Sequence, residues 1–145
     1  MFKKLKNLFV LIVFALSIIF QNLKVNVYAI DVKLINAAIE AHFKAKRSNL
    51  PQDYLDAVEA YSELSSAFRQ EGNSTSAALY FICAVKEYKQ YAKLCGPTDD
   101  NKTTLKSIVI ILEQMAHNWQ RIEEHVCAAE ALKCASSIRD MLGNS

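Results

Sequence analysis

Residues 61–84 read YSELSSAFRQEGNSTSAALYFICA, and this stretch decides the fold. Before Gly72 and after Asn73, apolar side chains recur every three or four residues, which is the spacing of one face of an α-helix. Glycine and asparagine readily end a helix, and Ser74 or Thr75 can accept a hydrogen bond from the exposed amides of the next one. The stretch therefore predicts two helices joined by a tight turn.

Apolar spacing predicts helices on both sides of this turn. The helix before it is predicted to begin at Pro51, because proline suits the first helical turn, and to end near Glu71. The helix after it is predicted to run to about Leu94. An earlier helix is predicted over residues 32–47, where His42 shares one face with apolar residues at helical spacing. Those apolar residues are Ile35, Ala38, Ile39 and Phe43.

Two more helices are predicted in the last third of the chain. The segment Cys95–Lys102, CGPTDDNK, is rich in glycine, proline and short polar side chains and is predicted to be a loop. Thr103 or Thr104 can then cap a helix over residues 105–120. A final helix is predicted over residues 123–142.

The composition agrees with an all-α fold. Apolar residues make up 52% of the 145 residues, whereas the chain holds three glycines and two prolines. So few turn-forming residues leave little room for the tight turns of an all-β protein. The length suits one domain with a real core. We therefore predict a single all-α domain over residues 30–145, a short stack of about five antiparallel helices.

Residues 1–29 have the pattern of a cleavable signal peptide. Residues 1–7 include three lysines, residues 8–20 are apolar except for Ser17, and residues 27–29 end in alanine. As a helix, residues 8–20 would span about 20 Å, less than the roughly 30 Å of a membrane's hydrocarbon core. The pattern predicts a secreted or periplasmic protein that is cleaved after Ala29 and meets the membrane only during export. An uncleaved anchor is the weaker alternative.

Four cysteines lie in the part that is predicted to be exported. An even number of cysteines in an oxidising compartment suggests disulfides, and four cysteines allow three connectivities, among which the sequence does not choose. Buried free thiols are the alternative, because cysteine also packs well in apolar helical surroundings. The disulfide candidates are Cys83, Cys95, Cys127 and Cys134.

Charge and motif content argue against several classes of function. Four of the 17 basic residues lie before residue 30 and all 15 acidic residues lie after it, so residues 30–145 hold 13 basic and 15 acidic groups. This balance lacks the clustered positive charge that nucleic-acid binding requires. Glu113, His117 and Arg121 lie four residues apart along one helical face, which a surface ion-pair ladder explains better than a metal or acid-base site. Without a catalytic or phosphate-binding motif, no enzyme, metal or cofactor is predicted.

Residues 61–84 resemble a tetratricopeptide repeat, a pair of antiparallel helices that would here form a unit over about residues 58–94. Its signature combines aromatic residues, small residues and a glycine at the turn. Small residues let the two helices approach closely, aromatic rings fill the space between them, and Gly72 permits the sharp turn. The positions that fit are Tyr61, Leu64, Ser65, Phe68, Gly72, Ala77, Phe81 and Ala84.

A second, fainter copy lies over about residues 105–142 and is offset from the first by 51 residues, against a usual spacing of 34. In it, Glu123 stands where the turn glycine is expected. An ordinary helical bundle is the alternative, because its buried faces also need alanine, leucine and aromatic residues. The matching positions are Leu112, Met115, Ala116, Trp119, Ala128, Leu132 and Ala135.

In tetratricopeptide proteins, the first helix of each pair lines a concave surface that receives an extended peptide or a partner helix. The resemblance implies such a surface here, on which Arg69 and Arg121 would grip a carboxylate through paired hydrogen bonds. Solvated surface arginines are the alternative. The first copy would supply Glu59, Ser62, Ser66, Arg69 and Gln70, and the fainter copy Ile110, Glu113, His117, Gln120 and Arg121.

Together these patterns predict a protein-protein interaction module that binds a peptide or protein partner outside the cytoplasm. A secreted bacterial protein that acts on a host is one version of this function. The alternative is a disulfide-stapled helical bundle with a structural or small-ligand-binding role. Two repeat units are fewer than the three that a stable solenoid usually needs, so either the first helix acts as a cap or the protein self-associates.

Overall fold

The computed structural model describes residues 32–96 and 98–143, and these residues form five α-helices. The predicted all-α class with about five helices is confirmed. None of the helices in these residues is long and apolar enough to cross a membrane. The predicted signal peptide, residues 1–29, lies outside the described part of the chain. The helices are α1 (Val32–Ser48), α2 (Pro51–Gln70), α3 (Ser74–Cys95), α4 (Asp99–Arg121) and α5 (His125–Gly143).

The described residues divide into two compact units, residues 32–96 and residues 98–143. In the first unit, α2 packs against both α1 and α3, and in the second unit, α4 packs against α5. The single domain predicted over residues 30–145 therefore contains two separate packing units.

Helix α1 packs through small side chains. Ala45 is fully buried and forms a cluster with Tyr54 and Ala57 of α2. Two larger members of the apolar face predicted for this helix, Ile39 and Phe43, are instead 44% and 55% exposed. Alanine side chains allow two helices to approach closely, so the contact with α2 lies on the alanine side of α1.

An ion pair adds to the contact between α1 and α2. The Lys44 Nζ atom lies 2.7 Å from Oδ1 of Asp53, which is 7% exposed. Hydrogen bonds from Lys44 and then from Ser48 hold the pKa of the Asp53 carboxyl below its ordinary value, against the opposing effect of burial. Because the folded pKa is the lower one, this stabilisation is present above the ordinary aspartate pKa and is lost as the pH falls through the folded pKa.

Helices α2 and α3 form an antiparallel hairpin with a tightly packed interface. Leu64 of α2 and Ala77 of α3 have no exposed surface, and Phe81 is 2% exposed. The Ser65 hydroxyl donates a hydrogen bond to the Ala77 carbonyl oxygen at 2.6 Å. A side chain of one helix thus reaches the backbone of the other, which requires the close approach that a small residue permits.

A Schellman motif, in which two backbone hydrogen bonds close the end of a helix, joins α2 to α3. The Asn73 amide donates to the Phe68 carbonyl and the Gly72 amide to the Arg69 carbonyl, both at 2.9 Å. The motif places its central residue in the left-handed region, and Gly72 has a φ of 77°. The predicted helix stop is confirmed, and the glycine is there because it adopts this conformation without steric cost.

The same motif joins α4 to α5, at positions 51 residues further along the chain. The Glu124 amide donates to the Trp119 carbonyl at 2.9 Å, and the Glu123 amide to the Gln120 carbonyl at 3.3 Å. Glu123 therefore occupies the left-handed position, with a φ of 63°. The prediction that the last helix begins at Glu123 is wrong by two residues, because this residue forms the turn and α5 begins at His125.

Replacing Glu123 with glycine is expected to stabilise the protein by about 1 kcal/mol, because the left-handed conformation carries a steric cost for every residue with a Cβ atom. Urea unfolding of the full chain, followed by far-ultraviolet circular dichroism, measures the change. Glu124→Gly is the matched control and is expected to give no gain. An unchanged or lower stability of Glu123→Gly would show that the turn is not strained.

Two predicted helix starts need correction. The cap of α3 is Asn73, whose side chain accepts from the Ser76 amide at 3.0 Å, rather than Ser74 or Thr75. Helix α4 begins at Asp99, where a loop was predicted, because the Thr98 hydroxyl caps it by accepting from the Asn101 amide at 3.2 Å. Aspartates in the first turn complement the positive end of the helix dipole, so the acidic segment favours a helix start as well as a loop.

Candidate functional site

One face of α3 carries a row of three side chains that are able to make polar contacts. Tyr80, Cys83 and Glu87 are three and four residues apart, a spacing that places them on the same side of a helix. Tyr80 and Cys83 are half-buried, whereas Glu87 is only 4% exposed. Together with His42 of α1 and Tyr61 of α2, these residues form what we name the Glu87 site.

His42 and Glu87 link α1 directly to α3. The His42 Nδ1 atom lies 2.7 Å from Glu87 Oε1, and the two side chains are 31% and 5% exposed. A carboxylate oxygen accepts, so Nδ1 carries the hydrogen of this bond. In the neutral imidazole the Nε2 atom is then left as an acceptor, and the orientation of the ring is fixed by its partner.

Tyr61 of α2 lies beside this pair. Its ring centroid is 6.3 Å from that of His42 and 6.4 Å from that of Tyr80, and the two tyrosine rings are inclined by only 20°. Burial, with further contributions from the charges that Cys83 and Glu87 can carry, raises the pKa of Tyr61 to about 12. The phenol therefore keeps its proton at neutral pH.

The second carboxylate oxygen of Glu87 has no partner. Its Oε2 atom is fully buried and accepts no hydrogen bond within the described residues. Within the described residues, the hydrogen-bond partner of the carboxylate is His42, through Oε1. Most buried polar atoms in proteins are paired, because an unpaired one costs free energy. The Glu87 carboxylate is therefore buried with only one of its two oxygens paired in the described residues.

The chemistry of the Glu87 site is that of hydrogen bonding and charge recognition. In the described part of the chain, no group of three histidine, cysteine, aspartate or glutamate side chains is placed to hold a metal ion. The polar groups of the site are one carboxylate oxygen and one imidazole nitrogen, whereas the Tyr80 ring stacks on Tyr61 and on Phe68. These groups suit a ligand that carries hydrogen-bond donors or positive charge.

The partner-binding residues predicted on α2 recur at helical spacing and so share one side of that helix, which we name the outer face of α2. Glu59 and Gln70 are exposed, and Ser66 and Arg69 are half-buried. The Ser62 hydroxyl donates to the Val58 carbonyl oxygen of its own helix at 2.5 Å, so its donor is already used. Glu59 and Arg69 already take part in further interactions within the protein.

The residues predicted on α4 belong to the second unit. His117, Gln120 and Arg121 are exposed, as is Ile110. Glu113 forms an ion pair with Arg139 of α5. The predicted ion-pair ladder along α4 is therefore wrong at its first residue, because Glu113 pairs across the hairpin instead.

All four cysteines are free thiols in the structure. Cys83 and Cys95 lie 12 residues apart on α3, and Cys127 and Cys134 lie seven residues apart on α5. At a rise of about 1.5 Å per residue, both pairs are further apart than the roughly 7 Å that a disulfide spans between Cα atoms. The connectivity that pairs the cysteines within each helix is excluded, and disulfide formation otherwise stays a prediction.

Burial separates the thiols by reactivity. Cys95 is exposed, whereas Cys127 and Cys134 are buried. Burial, with a smaller effect of the nearby Glu124 charge, raises the pKa of the Cys127 thiol. Because the thiolate is the reactive form, both the burial and the raised pKa of the Cys127 thiol make it less reactive than an exposed thiol of ordinary pKa.

The sequence analysis did not identify His42 and Glu87 as a site. They are 45 residues apart and belong to no known motif. The one available signal was a glutamate flanked by Ala84, Val85 and Tyr88, which are the kind of residues that a helix buries.

No protein-family model, no curated protein and no solved structure matches this chain.

Proposed function

We propose that the chain is an exported protein-protein interaction module that binds a peptide or protein partner on the outer face of α2. The observation that carries the proposal is the two-sided character of this helix. Leu64 and Ser65 are buried in the hairpin, whereas Glu59 and Gln70 are exposed and Ser66 is half-buried. A rigid helix that presents polar groups on one side is suited to receive an extended chain.

The turn geometry supports the tetratricopeptide-like part of the proposal. Gly72 occupies the left-handed position of a Schellman motif at the place where the repeat signature has its turn glycine. Glu123 occupies the equivalent position of the second hairpin, where the fainter copy has its turn. Two hairpins with the same turn, 51 residues apart, are what a duplicated helix-turn-helix unit would give.

Export is the second part of the proposal and is supported by the leader pattern of residues 1–29. The intact mass of the exported protein is expected to equal that of a chain that begins at Ile30. A mass that retains Met1 would contradict cleavage. Thiol alkylation before and after reduction, read in the same spectra, distinguishes free cysteines from disulfides.

Site-specific photo-crosslinking tests partner binding. A photoreactive amino acid at Ser66 of the full chain is expected to give an adduct of discrete mass in the cells that export the protein. The same amino acid at Lys93, an exposed position on α3, is the matched control and is expected to give none. Charge reversal in Arg69→Glu is expected to reduce the Ser66 adduct severalfold if the partner carries a carboxylate.

Two outcomes would contradict the proposal. Equal adducts from Ser66 and Lys93 would indicate collisional crosslinking without a specific surface. The absence of any adduct, from a protein shown by mass to be exported intact, would favour the helical bundle with a structural or small-ligand-binding role.

A further inference from the structure

We propose that α1 binds the surface of an anionic membrane through a row of exposed apolar side chains, Val32, Ile39 and Phe43, which we name the α1 ridge. This contact belongs to the folded protein and is separate from the transient one that the leader predicts. It does not use the outer face of α2 and does not require the partner proposed for that face. The expected binding is peripheral, with α1 lying along the membrane surface.

Helix α1 turns its small side chains inward and its large apolar ones outward. Ala38 and Ala45 have no exposed surface and form the buried side of the helix. Val32, Ile39 and Phe43 are 64%, 44% and 55% exposed. They are seven and four residues apart, a spacing that keeps them on one side of a helix. A row of exposed large apolar side chains on a folded protein marks an interaction surface.

The apolar surface continues beyond the ridge. Leu50, seven residues after Phe43 and just past the end of α1, is 57% exposed. The His42 ring meets the edge of the Phe43 ring with centroids 5.4 Å apart, and the half-buried Tyr61 lies beside His42 at 6.3 Å. Aromatic side chains with a polar group are favoured at the boundary between water and lipid, so these rings suit the border of a membrane contact.

Charge decides what covers the ridge. Helix α1 carries four basic side chains and one acidic one, whereas the rest of residues 30–145 holds nine basic and 14 acidic side chains. One of the four, Lys44, is already paired with Asp53. Positive charge is therefore concentrated on one helix of an otherwise acidic protein. An apolar stripe bordered by lysine and arginine is typical of a helix that lies on an anionic membrane.

The other basic residues of α1 border the ridge. Lys46 and Arg47 are exposed and follow Phe43 by three and four residues, so one lies on each side of the row. Lys33 is exposed at the opposite end of the helix. Glu40 is the single acidic residue of α1, and it lies seven residues from both Lys33 and Arg47. The outward side of the helix thus keeps an excess of positive charge around its apolar row.

Other occupants fit this face less well. A second copy of the chain would bring two faces of the same charge together, which opposes association. An acidic protein would match the charge, but it would need a groove complementary to the ridge, whereas a bilayer accepts an apolar ridge without one. A nucleic acid would contact the basic residues and leave the apolar side chains without a role.

Co-sedimentation with lipid vesicles tests the proposal on the exported protein, whose intact mass is determined first. We expect binding to vesicles of phosphatidylcholine and phosphatidylglycerol in equal parts, and at least tenfold weaker binding to phosphatidylcholine alone. Phe43→Ser is expected to weaken binding to the anionic vesicles at least fivefold. Ile110→Ser, which changes a 56% exposed isoleucine of α4, is the matched control and is expected to bind as the wild type does.

A second pair of variants tests the contribution of charge. Lys46→Glu is expected to weaken binding to the anionic vesicles severalfold, because it reverses a charge beside the ridge. Lys93→Glu changes an exposed lysine of α3 and gives the same net charge, and a smaller loss is expected. Equal losses would mean that the overall charge of the protein governs binding, which would overturn the assignment to α1.

Three results with vesicles would overturn the proposal: no binding, equal binding to both lipid compositions, or equal affinities of Phe43→Ser and Ile110→Ser. Sedimentation equilibrium without lipid tests the second copy as occupant. A dimer that Phe43→Ser dissociates would assign the ridge to self-association and overturn the membrane contact. Should Phe43→Ser fail to fold by circular dichroism, Ile39→Ser replaces it with the same expected loss.

Retention of the leader can be distinguished from failure of the ridge. A mass that includes Met1 would contradict the cleavage proposed above, and residues 8–20 would then add an apolar contact that lipid charge does not control. In that case, the isotope-labelled full chain is mixed with anionic bicelles that carry a gadolinium-chelating lipid. We expect stronger paramagnetic broadening of the amide signals of Ile39 and Phe43 than of Lys93. Equal broadening would overturn the contact through α1.

Discussion

Replacing His42 with alanine is expected to lower the free energy of unfolding by about 2–3 kcal/mol at pH 7. The substitution removes the one hydrogen-bond donor to the Glu87 carboxylate, whose side chain is 5% exposed. The carboxylate is then buried without a partner for either oxygen. Because 31% of the His42 side chain is exposed, water can enter the space that the imidazole leaves and hydrate the carboxylate. We therefore expect a smaller loss of unfolding free energy than for a fully buried pair.

Urea unfolding curves of the wild type, His42→Ala and the double variant His42→Ala/Glu87→Leu measure the effect. The double variant is expected to recover most of the lost stability, because it removes the charge that His42→Ala leaves unpaired. His117→Ala, at an exposed histidine of α4, is the control and is expected to stay within about 0.5 kcal/mol of the wild type. Equal losses in the single and double variants would mean that His42 acts by packing alone.

Replacing Leu64 with alanine is expected to cost about 3 kcal/mol of unfolding free energy. Leu64 has no exposed surface and precedes Ser65, whose hydroxyl bonds to the Ala77 carbonyl of α3. The Ser65 bond holds the two backbones close together, so the helices cannot collapse freely into the space that the missing atoms leave. Both the lost burial of apolar surface and the remaining cavity then contribute to the cost.

The same denaturation experiment checks this prediction. Glu63→Ala, one residue away and exposed, is the matched control and is expected to change stability by no more than about 0.5 kcal/mol. Similar stabilities for the two variants would place Leu64 outside the core of the α2–α3 hairpin. Retention of helix content in both, measured before denaturant is added, shows that the comparison starts from the folded state.

Most of the helical fold could be predicted from the sequence because its signals are local. Apolar spacing, Pro51 at the start of α2 and Gly72 at its end depend only on neighbouring residues, and all three predictions are confirmed. The start of α4 could not be read in this way. Thr98 and two aspartates are typical both of a loop and of a helix N-terminus, and only the hydrogen bond to Asn101 decides between them.

The side of α1 that packs could not be predicted from apolarity alone. Ile39 and Phe43 are the larger apolar residues, but the alanines of the helix make the contact with α2. Small side chains allow two helices to approach closely, but a hydrophobicity scale gives a small side chain such as alanine little weight. The exposure of Ile39 and Phe43 is therefore set by the tertiary packing and not by the local sequence.

The Glu87 site could not be predicted, since it depends on where three helices lie. His42, Tyr61 and Glu87 come from α1, α2 and α3 and share no spacing. The residues predicted on α2 came from a resemblance, and their partner stays a prediction. A buried glutamate among apolar neighbours is a usable sign for such a site, but it does not reveal which residues will face it.

The distribution of aromatic residues makes the two units separately visible to optical spectroscopy. The single tryptophan, Trp119, is 6% exposed in residues 98–143. Every tyrosine of the described residues lies in the other unit, at positions 54, 61, 80, 88 and 91. Emission excited at a wavelength that tyrosine does not absorb therefore reports on the α4–α5 hairpin alone, while far-ultraviolet circular dichroism reports on the helices of both units. Independent or concerted melting of the two units can be distinguished in one unlabelled sample.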